Sequence, residues 1–363
     1  MAGRAPSEAI NIATRHAVFL ERLKTHEANK VAALLEDVAA EIRDRLSRVD
    51  ITDIGRANME RLIAGVEKML GERFTDYRKA TREQLLAIAV DEARFGAREI
   101  GAVATNYEPA IPAAAQVRSA ALSQPLAVQG PAGGKLLTPF LQRFQSNEID
   151  RITSAMRIGF TQGDTTTQLT QRLLGTRGQQ FRDGQLAITE RSARAVVRTA
   201  ISHMSSVAKM EVGKENADIV RGIRIVATLD SRTSTTCQSM DGREYPMDKA
   251  PLPPYHPNCR TAYTYALDKR FDVLDRGATR ASRGADGGEQ VPSRETYYSW
   301  LKDQPAAFQD EAIGPQRAKL LREGGLSADR FSRLQLDKNF QPLTLERMRE
   351  LEPLAFDRSG LDA

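Results

Sequence analysis

The sequence predicts a mostly helical α+β protein, with long helices first, a small antiparallel sheet in the middle and a helical tail. Three observations lead to this prediction. Apolar residues recur every three or four positions over about residues 8–108, which is the spacing of helices with one buried face. The pattern changes at residues 223–229, where β-branched residues are frequent, as in a strand. Helical spacing returns from about residue 294.

The first hundred residues are predicted to be a helical domain over residues 1–108. One apolar stripe ends near Val49, a second spans residues 59–70, and a third helix is predicted from Thr81, where a capping-box pattern begins. Such helices pack as a hairpin-like bundle or as an extended coiled-coil arm. We expect a helical packing domain, and the functional alternative is a surface that docks on neighbouring subunits.

Residues 109–138 differ from both neighbouring segments, because prolines and glycines lie among alanines there. This composition predicts a linker or a long extended segment, and with it the main domain boundary. The segment has few bulky residues from which to form a core of its own. We therefore expect it to be ordered only against another chain.

Residues 139–268 are predicted to form a central domain of helices followed by the small sheet. After the strand described above, Asp241-Gly242 favours a hairpin turn before a returning strand. Residues 269–293 are rich in Gly, Arg, Ser and Asp and predict a mobile surface loop. Residues 294–363 return to short helices and are assigned as a C-terminal extension.

The overall composition is that of a folded protein without a membrane span. Hydrophobic residues make up 41% and charged residues 27% of the 363 residues, which argues against a disordered chain. The net charge of +5 permits contact with nucleic acid but does not require it. Apolar runs are far shorter than the roughly 20 residues that cross a bilayer. Two cysteines are too few for a disulfide scaffold.

The most informative block is residues 227–261, which holds both cysteines and one of the four histidines. Cys237, His256 and Cys259 offer two thiolates and an imidazole, which are ligands that zinc prefers. Two other interpretations are open. The thiols and a hydrogen-bonded histidine would lock an irregular loop without a metal, or the two cysteines would form a disulfide.

An aspartate of the same block is the candidate for a fourth, harder metal ligand. Asp230 and Asp241 are the two choices. A structural ion pair between Asp230 and either Arg232 or Arg260 is the alternative, because a guanidinium binds a carboxylate with two parallel hydrogen bonds.

Arg198-Thr199 lie in the helix before the block, and the block contains in order Asp230, Arg232-Thr233, Cys237, Asp241-Gly242 and His256-Pro257-Asn258-Cys259-Arg260. This series resembles that of a known family, the phage Mu F-like head-morphogenesis proteins. The resemblance covers about residues 140–268, and one residue departs from it: Thr261 stands where many members have a second cysteine.

The resemblance implies a minor capsid protein of a tailed phage that acts in procapsid assembly. It implies the portal protein and other head proteins as partners, and it allows contact with packaged DNA without sequence specificity. The expected location is the virion, in the head interior or at the portal vertex, after a period in the host cytoplasm during assembly. No membrane partner is implied.

Catalysis is not expected, because the common catalytic motifs are absent from the sequence. It contains no His-Glu-x-x-His, no Gly-x4-Gly-Lys and no Gly-x-Ser-x-Gly. The alternative function is a metal-dependent enzymatic or DNA-processing head protein, with the metal at the cysteine and histidine cluster.

Candidate DNA contacts follow from a cluster of basic residues between two structured regions. Because each phosphate contact needs one Lys or Arg, we expect weak binding by few residues, with an ordinary solvated loop as the alternative. The candidates are Lys269, Arg270, Arg276, Arg280 and Arg283.

Overall fold

The chain begins with two long helices rather than three. The computed structural model describes residues 7–51, 54–104, 106–128, 133–271 and 279–361. Within these ranges the first two helices are α1 (Ser7–Ser47) and α2 (Arg56–Val103).

The predicted break before Thr81 does not occur, and α2 continues through it. Glycine inside a helix costs only about 1 kcal/mol relative to alanine. Gly71 lies beside the buried residues Met69, Leu70 and Phe74, and burial of such side chains is worth more than the cost of one glycine. The capping-box pattern at Thr81 therefore lies inside a helix.

In the rest of the described chain, one run of helices precedes the strands and a second run follows them. The central region contains α3 (Ala114–Ser123), α4 (Leu137–Gln162), α5 (Thr166–Leu174), α6 (Gln185–Glu215), β1 (Val220–Val226), α7 (Thr235–Met240), β2 (Glu244–Pro246) and β3 (Ala262–Leu267). The C-terminal region contains β4 (Thr279–Gly284), β5 (Gly287–Pro292), α8 (Tyr297–Lys302), α9 (Ala306–Ile313), α10 (Pro315–Glu323), α11 (Ala328–Arg333), α12 (Leu345–Leu351) and α13 (Pro353–Ser359). The fold is mostly helical α+β, as the sequence predicts.

The central sheet has three antiparallel strands in the order β2-β1-β3. Ile223 of β1 lies opposite Tyr245 on one side and Tyr265 on the other, so the β-branched segment occupies the middle of the sheet. The returning strand predicted after Asp241-Gly242 is β2.

The prediction of a mobile loop over residues 269–293 is wrong for the part that forms β4 and β5. β4 and β5 form an antiparallel hairpin that closes at Gly284 and Gly287. Arg283 also donates its backbone N–H to the carbonyl of Leu229 at 2.8 Å, which fixes the hairpin to the segment after β1. Polar residues dominate this hairpin because one of its faces is exposed, and that composition resembles a loop.

Helix α6 is the central element, and the N-terminal helices pack directly on it. One hydrophobic cluster joins Leu20 of α1, Leu85 of α2, Ile201 of α6 and Tyr263 of β3. The prediction of a domain boundary at residue 108 is therefore wrong, because the helices before it share a hydrophobic core with α6 and the sheet. Periodicity identified the apolar faces of α1 and α2, but it cannot tell which element covers them.

Residues 109–128 of the predicted linker are also packed against the same chain. Its helix α3 and the following residues bury Val117, Ala121, Leu126 and Val128 in the cluster that contains α6. The side chain of Asn216 accepts from the backbone N–H of Ala110 at 2.8 Å and donates to its carbonyl at 2.9 Å. Small side chains let α3 pack closely on α6, so these residues contribute to a core of the same chain although few of them are bulky.

A third hydrophobic cluster lies under the C-terminal helices. It contains Tyr297, Trp300 and Phe331 together with Leu229, which follows β1. The C-terminal extension is thus built onto the motif block. Within the described part of the chain, every helix is too short or too polar to cross a membrane.

The pH dependence of stability should report the packing of residues 109–138 on α6. His203 is buried and donates from Nε2 to the carbonyl of Gln124 at 3.1 Å, and burial lowers its pKa to about 4. The unfolded chain takes up this proton near the ordinary pKa of about 6.5, so the folded state loses stability as the pH falls from about 6.5 to 4. The loss should reach about 3 kcal/mol at the lower end.

Urea unfolding between pH 7 and pH 4 checks this, with His203→Gln as the comparison. Glutamine keeps a donor for the carbonyl but does not titrate, so the variant should lose about 3 kcal/mol less than the wild type over this range. Carboxylates titrate equally in both proteins, so their contribution cancels when the free energies of unfolding of the two proteins are subtracted. Parallel pH profiles would contradict the buried position of His203.

Candidate functional site

The motif block lies between the two neighbouring strands β1 and β3. The chain leaves β1, forms the short helix α7, returns through β2 and then follows an irregular loop into β3. Gly242 donates its backbone N–H to the carbonyl of Ile225 at 2.9 Å and has a φ of +76°, a conformation that favours glycine. The block is therefore one folded unit attached to the central strand.

The structure brings Cys237, His256 and Cys259 together. The Cys237 sulfur lies 3.6 Å from the Cys259 sulfur and 3.2 Å from Nε2 of His256. Ser234 caps α7 by accepting the backbone N–H of Cys237 at 3.4 Å, and its hydroxyl lies 2.9 Å from Nε2 of His256. Both sulfurs are buried, and the histidine is half-buried.

The His256 ring is oriented by its other nitrogen. Nδ1 lies 2.9 Å from the carbonyl oxygen of Pro257 and must donate to it, because a carbonyl oxygen only accepts. This leaves Nε2 as the nitrogen that faces the two sulfurs. Pro257, a residue of the family motif, thus contributes through its backbone.

Hydrogen bonding redistributes the protons of this cluster. The bond from Cys237 lowers the pKa of the Cys259 thiol, and the same bond raises the pKa of Cys237. Hydrogen bonding to Cys259 raises the pKa of His256. These opposite shifts make Cys259 the more acidic of the two thiols.

Asp230 does not join the cysteines but forms an ion pair with Arg260. The two guanidinium nitrogens donate to its two oxygens at 2.6 and 2.8 Å. The hydroxyl of Thr233 and the backbone N–H of Arg232 also donate to Asp230, at 3.0 and 3.1 Å. Burial opposes ionisation, yet the bonds from Arg260 hold the pKa of Asp230 below its ordinary value. The prediction of Asp230 as a metal ligand is therefore wrong, because both of its oxygens are bound to Arg260 and it lies outside the group formed by Cys237, His256 and Cys259.

Asp241 is likewise held by a guanidinium. Arg280 of β4 donates to its two oxygens at 3.0 and 3.1 Å, and the backbone N–H of Ala227 donates at 2.7 Å. The side chains of Arg280 and Asp241 are 4% and 0% exposed. Arg280 is thus wrong as a candidate DNA contact, since a buried and paired guanidinium does not reach a phosphate.

The remaining basic candidates are placed differently. Lys269, Arg270 and Arg283 are exposed, and Arg276 lies outside the described residues. The guanidinium of Arg270 lies over the ring of Phe271 at 5.0 Å. Three of the five candidates are therefore accessible to a polyanion.

Two family residues of α6 connect the block to the first helix. Arg198 forms an ion pair with Glu21 of α1, and the hydroxyl of Thr199 accepts from the backbone N–H of Asn258 at 3.1 Å. The exposed residue Arg232 contributes only its backbone to these bonds.

The carbonyl of Cys259 accepts two hydrogen bonds that sequence reasoning missed. Lys24 of α1 donates from 3.3 Å and Ser202 of α6 from 3.1 Å. Lys24 is 235 positions away along the chain, and no local motif marks it. Ser202, one helical turn after Arg198-Thr199, lies on the same face of α6, and that spacing is a signal that could have identified it.

Residue 261 also lies at the cluster. Thr261 is buried, and its hydroxyl interacts with the Cys237 sulfur. The position at which the sequence departs from the family pattern is therefore beside the two cysteines.

This arrangement agrees with the comparison with known families. Residues 150–264 match the family described as phage Mu protein F like protein. The match confirms the resemblance carried by the motif residues, and it extends from α4 to β3. The family supports a phage head-morphogenesis protein as the general function. No curated protein and no solved structure matches the chain.

The phage Mu F-like region should depend on the hairpin that follows it. Arg280→Ala leaves Asp241 buried without its partner, and we expect a loss of about 3–5 kcal/mol in the free energy of unfolding. Arg283→Ala removes an exposed arginine of the same strand and should change it by less than about 0.5 kcal/mol. Urea unfolding followed by circular dichroism measures both. Equal effects would show that the Asp241–Arg280 pair is not formed.

Proposed function

We propose that this phage Mu F-like protein is a structural component of the phage head that acts in procapsid assembly beside the portal, without catalysis. The observation that carries the proposal is the internal use of the motif residues. Asp230 and Asp241 each accept both nitrogens of a guanidinium. A motif whose reactive groups bond to one another favours a role in holding shape.

The electrostatics of the block also argue against general acid–base chemistry. A catalytic carboxylate needs access to its substrate and a pKa near the working pH. Asp241 is fully buried, and the pKa of Asp230 is held below its ordinary value by Arg260. Neither group is suited to take a proton from a substrate.

Arg232 is the motif residue best placed to contact another head protein. Its side chain is exposed, and the described residues offer it no carboxylate within ion-pair distance. Of the three exposed motif residues Arg232, Pro257 and Asn258, only Arg232 carries a charge, and an exposed charged side chain in a motif favours recognition rather than packing. The partner suggested by the family is the portal protein or another inner head protein with an acidic surface at this contact.

Co-assembly with the phage's own portal and capsid proteins tests this proposal. The chain is expressed with both proteins, and particles are separated on a density gradient. The wild type should sediment with the procapsids. The amount of the Arg232→Glu variant in the procapsid fraction should be at least about tenfold lower, since charge reversal at an interface costs more than about 1.4 kcal/mol. Arg177→Glu is the matched control, because Arg177 is exposed in the same family region but outside the motif.

Two results would contradict the structural role. A wild-type chain absent from the procapsids would remove the assembly function. Cleavage of DNA by the purified wild type in the presence of Zn²⁺ or Mg²⁺, at a rate lowered by Cys237→Ser, would establish the enzymatic alternative.

Contact with packaged DNA is a second, weaker function that one groove favours. Lys269 lines a depression of about 850 Å³ together with Arg221, Arg224 and Arg294. Asp268 and Glu244 pair with the first two arginines, so few positive charges remain available for phosphates.

DNA binding should therefore be weak, independent of sequence and steeply reduced by salt. Replacing Lys269, Arg270 and Arg283 together by Ala should lower the salt slope by about 0.9 for each phosphate that the variant no longer neutralises, without unfolding the protein. Gel-shift titration at several salt concentrations measures the slope. If the wild type does not bind at low salt, the protein contacts only other proteins.

A further inference from the structure

The cluster of Cys237, His256 and Cys259 has the dimensions of a metal site. In a tetrahedral zinc site with Zn–S distances of about 2.3 Å, two sulfurs lie about 3.8 Å apart, and a sulfur and a ligating nitrogen about 3.5 Å. The observed distances are 3.6 Å between the sulfurs and 3.2 Å from the Cys237 sulfur to Nε2 of His256. The ligand atoms of all three residues lie within 4.8 Å of one another.

The surroundings of His256 match those of a metal-bound histidine. A ligating imidazole usually donates its other N–H to a carbonyl or carboxylate, which fixes the ring and the tautomer. Nδ1 of His256 has such a partner in the carbonyl of Pro257 at 2.9 Å. In its neutral form the ring then presents the lone pair of Nε2 to the two sulfurs.

The backbone that carries the ligands is held from three helices. Ser234 and α7 position Cys237, while Thr199 and Ser202 of α6 and Lys24 of α1 bind the backbone of residues 258–259. Little ordering is then required when an ion enters, and a preformed set of ligands favours binding. The buried ammonium of Lys24 also lies on the side of Cys259, where it offsets negative charge.

The two alternatives account for the geometry less well. A disulfide needs the sulfurs at about 2.05 Å, and such a bond would leave Nε2 of His256 without the Cys237 thiol as a partner. A lock without metal would depend on thiols, which are weak donors and weak acceptors. A lock without metal would also orient the imidazole, through its hydrogen bond to sulfur, but it gives no reason for the two buried sulfurs to lie 3.6 Å apart, at the spacing of zinc ligands.

We propose that Cys237, His256 and Cys259 bind one Zn²⁺ ion that joins α7 to the loop before β3, with a water molecule as the fourth ligand. Asp230 and Asp241 are bound to arginines, so neither carboxylate is free to serve as that ligand. The half-buried edge of His256 admits solvent, and the Ser234 hydroxyl lies beside Nε2 where it can hydrogen-bond that water. The binding of this ion does not depend on the proposed function.

Metal content and thiol state of the full-length protein test the proposal. Protein expressed with added Zn²⁺ and purified without chelating resin should contain one zinc per chain by elemental analysis, and two free thiols should react after denaturation. His256→Asn and Cys259→Ser should each lower the zinc content at least about fivefold. His26→Asn, at an exposed histidine of α1, is the matched control and should retain one zinc per chain.

Cobalt provides a readout that does not depend on variants. Protein refolded with Co²⁺ in place of zinc should show thiolate-to-cobalt charge transfer and the intense visible bands of a tetrahedral site, and chelation should lower the Tm by about 5 °C or more. Folded wild type with less than about a tenth of an equivalent of zinc and no cobalt bands would overturn the proposal. The absence of free thiols would overturn it in favour of the disulfide.

Discussion

The arrangement of the motif block depends on the pairing of its two buried carboxylates, Asp230 and Asp241, with arginines. A charge moved from water into a protein interior is tolerated only when it is paired and hydrogen-bonded. Asp241 meets this need through Arg280 and the backbone of Ala227, and Asp230 meets it through Arg260 and Thr233. These two pairs close the loops between β1 and β3 and fix the hairpin of β4 and β5 to them. The C-terminal helices then have a fixed surface on which to pack.

Helix α6 connects this block to the rest of the protein. One part of it is covered by α1, α2 and α3, and the sheet lies against the same core. Arg198, Thr199 and Ser202 reach from α6 to α1 and to the loop of residues 256–260. These three residues therefore join elements that are far apart in sequence.

Local features of the sequence predicted the parts of the fold that local physics determines. The β-branched run forms β1, and the Asp241-Gly242 pair precedes β2. The two cysteines and the histidine within residues 227–261 identified the block in which both cysteines contact His256. Features that depend on distant partners were missed. Arg280 looked like a loop arginine because Asp241 is 39 positions away, and the Pro, Gly and Ala composition of residues 109–138 concealed a helix that packs on α6. Lys24, which binds the carbonyl of Cys259, and Glu21, which pairs with Arg198, have no local signature either.

We propose that the motif block is an internal joint of a head protein and that its exposed residue Arg232 contacts another subunit. A subunit-resolution map of the assembled procapsid tests this most directly. We expect density for α6 and the three-stranded sheet inside the head near the portal, with Asp230 on Arg260 and Asp241 on Arg280, and with Arg232 at a contact with a neighbouring protein. A map in which these pairs are open around a bound substrate, or in which the chain is absent from the head, would contradict it.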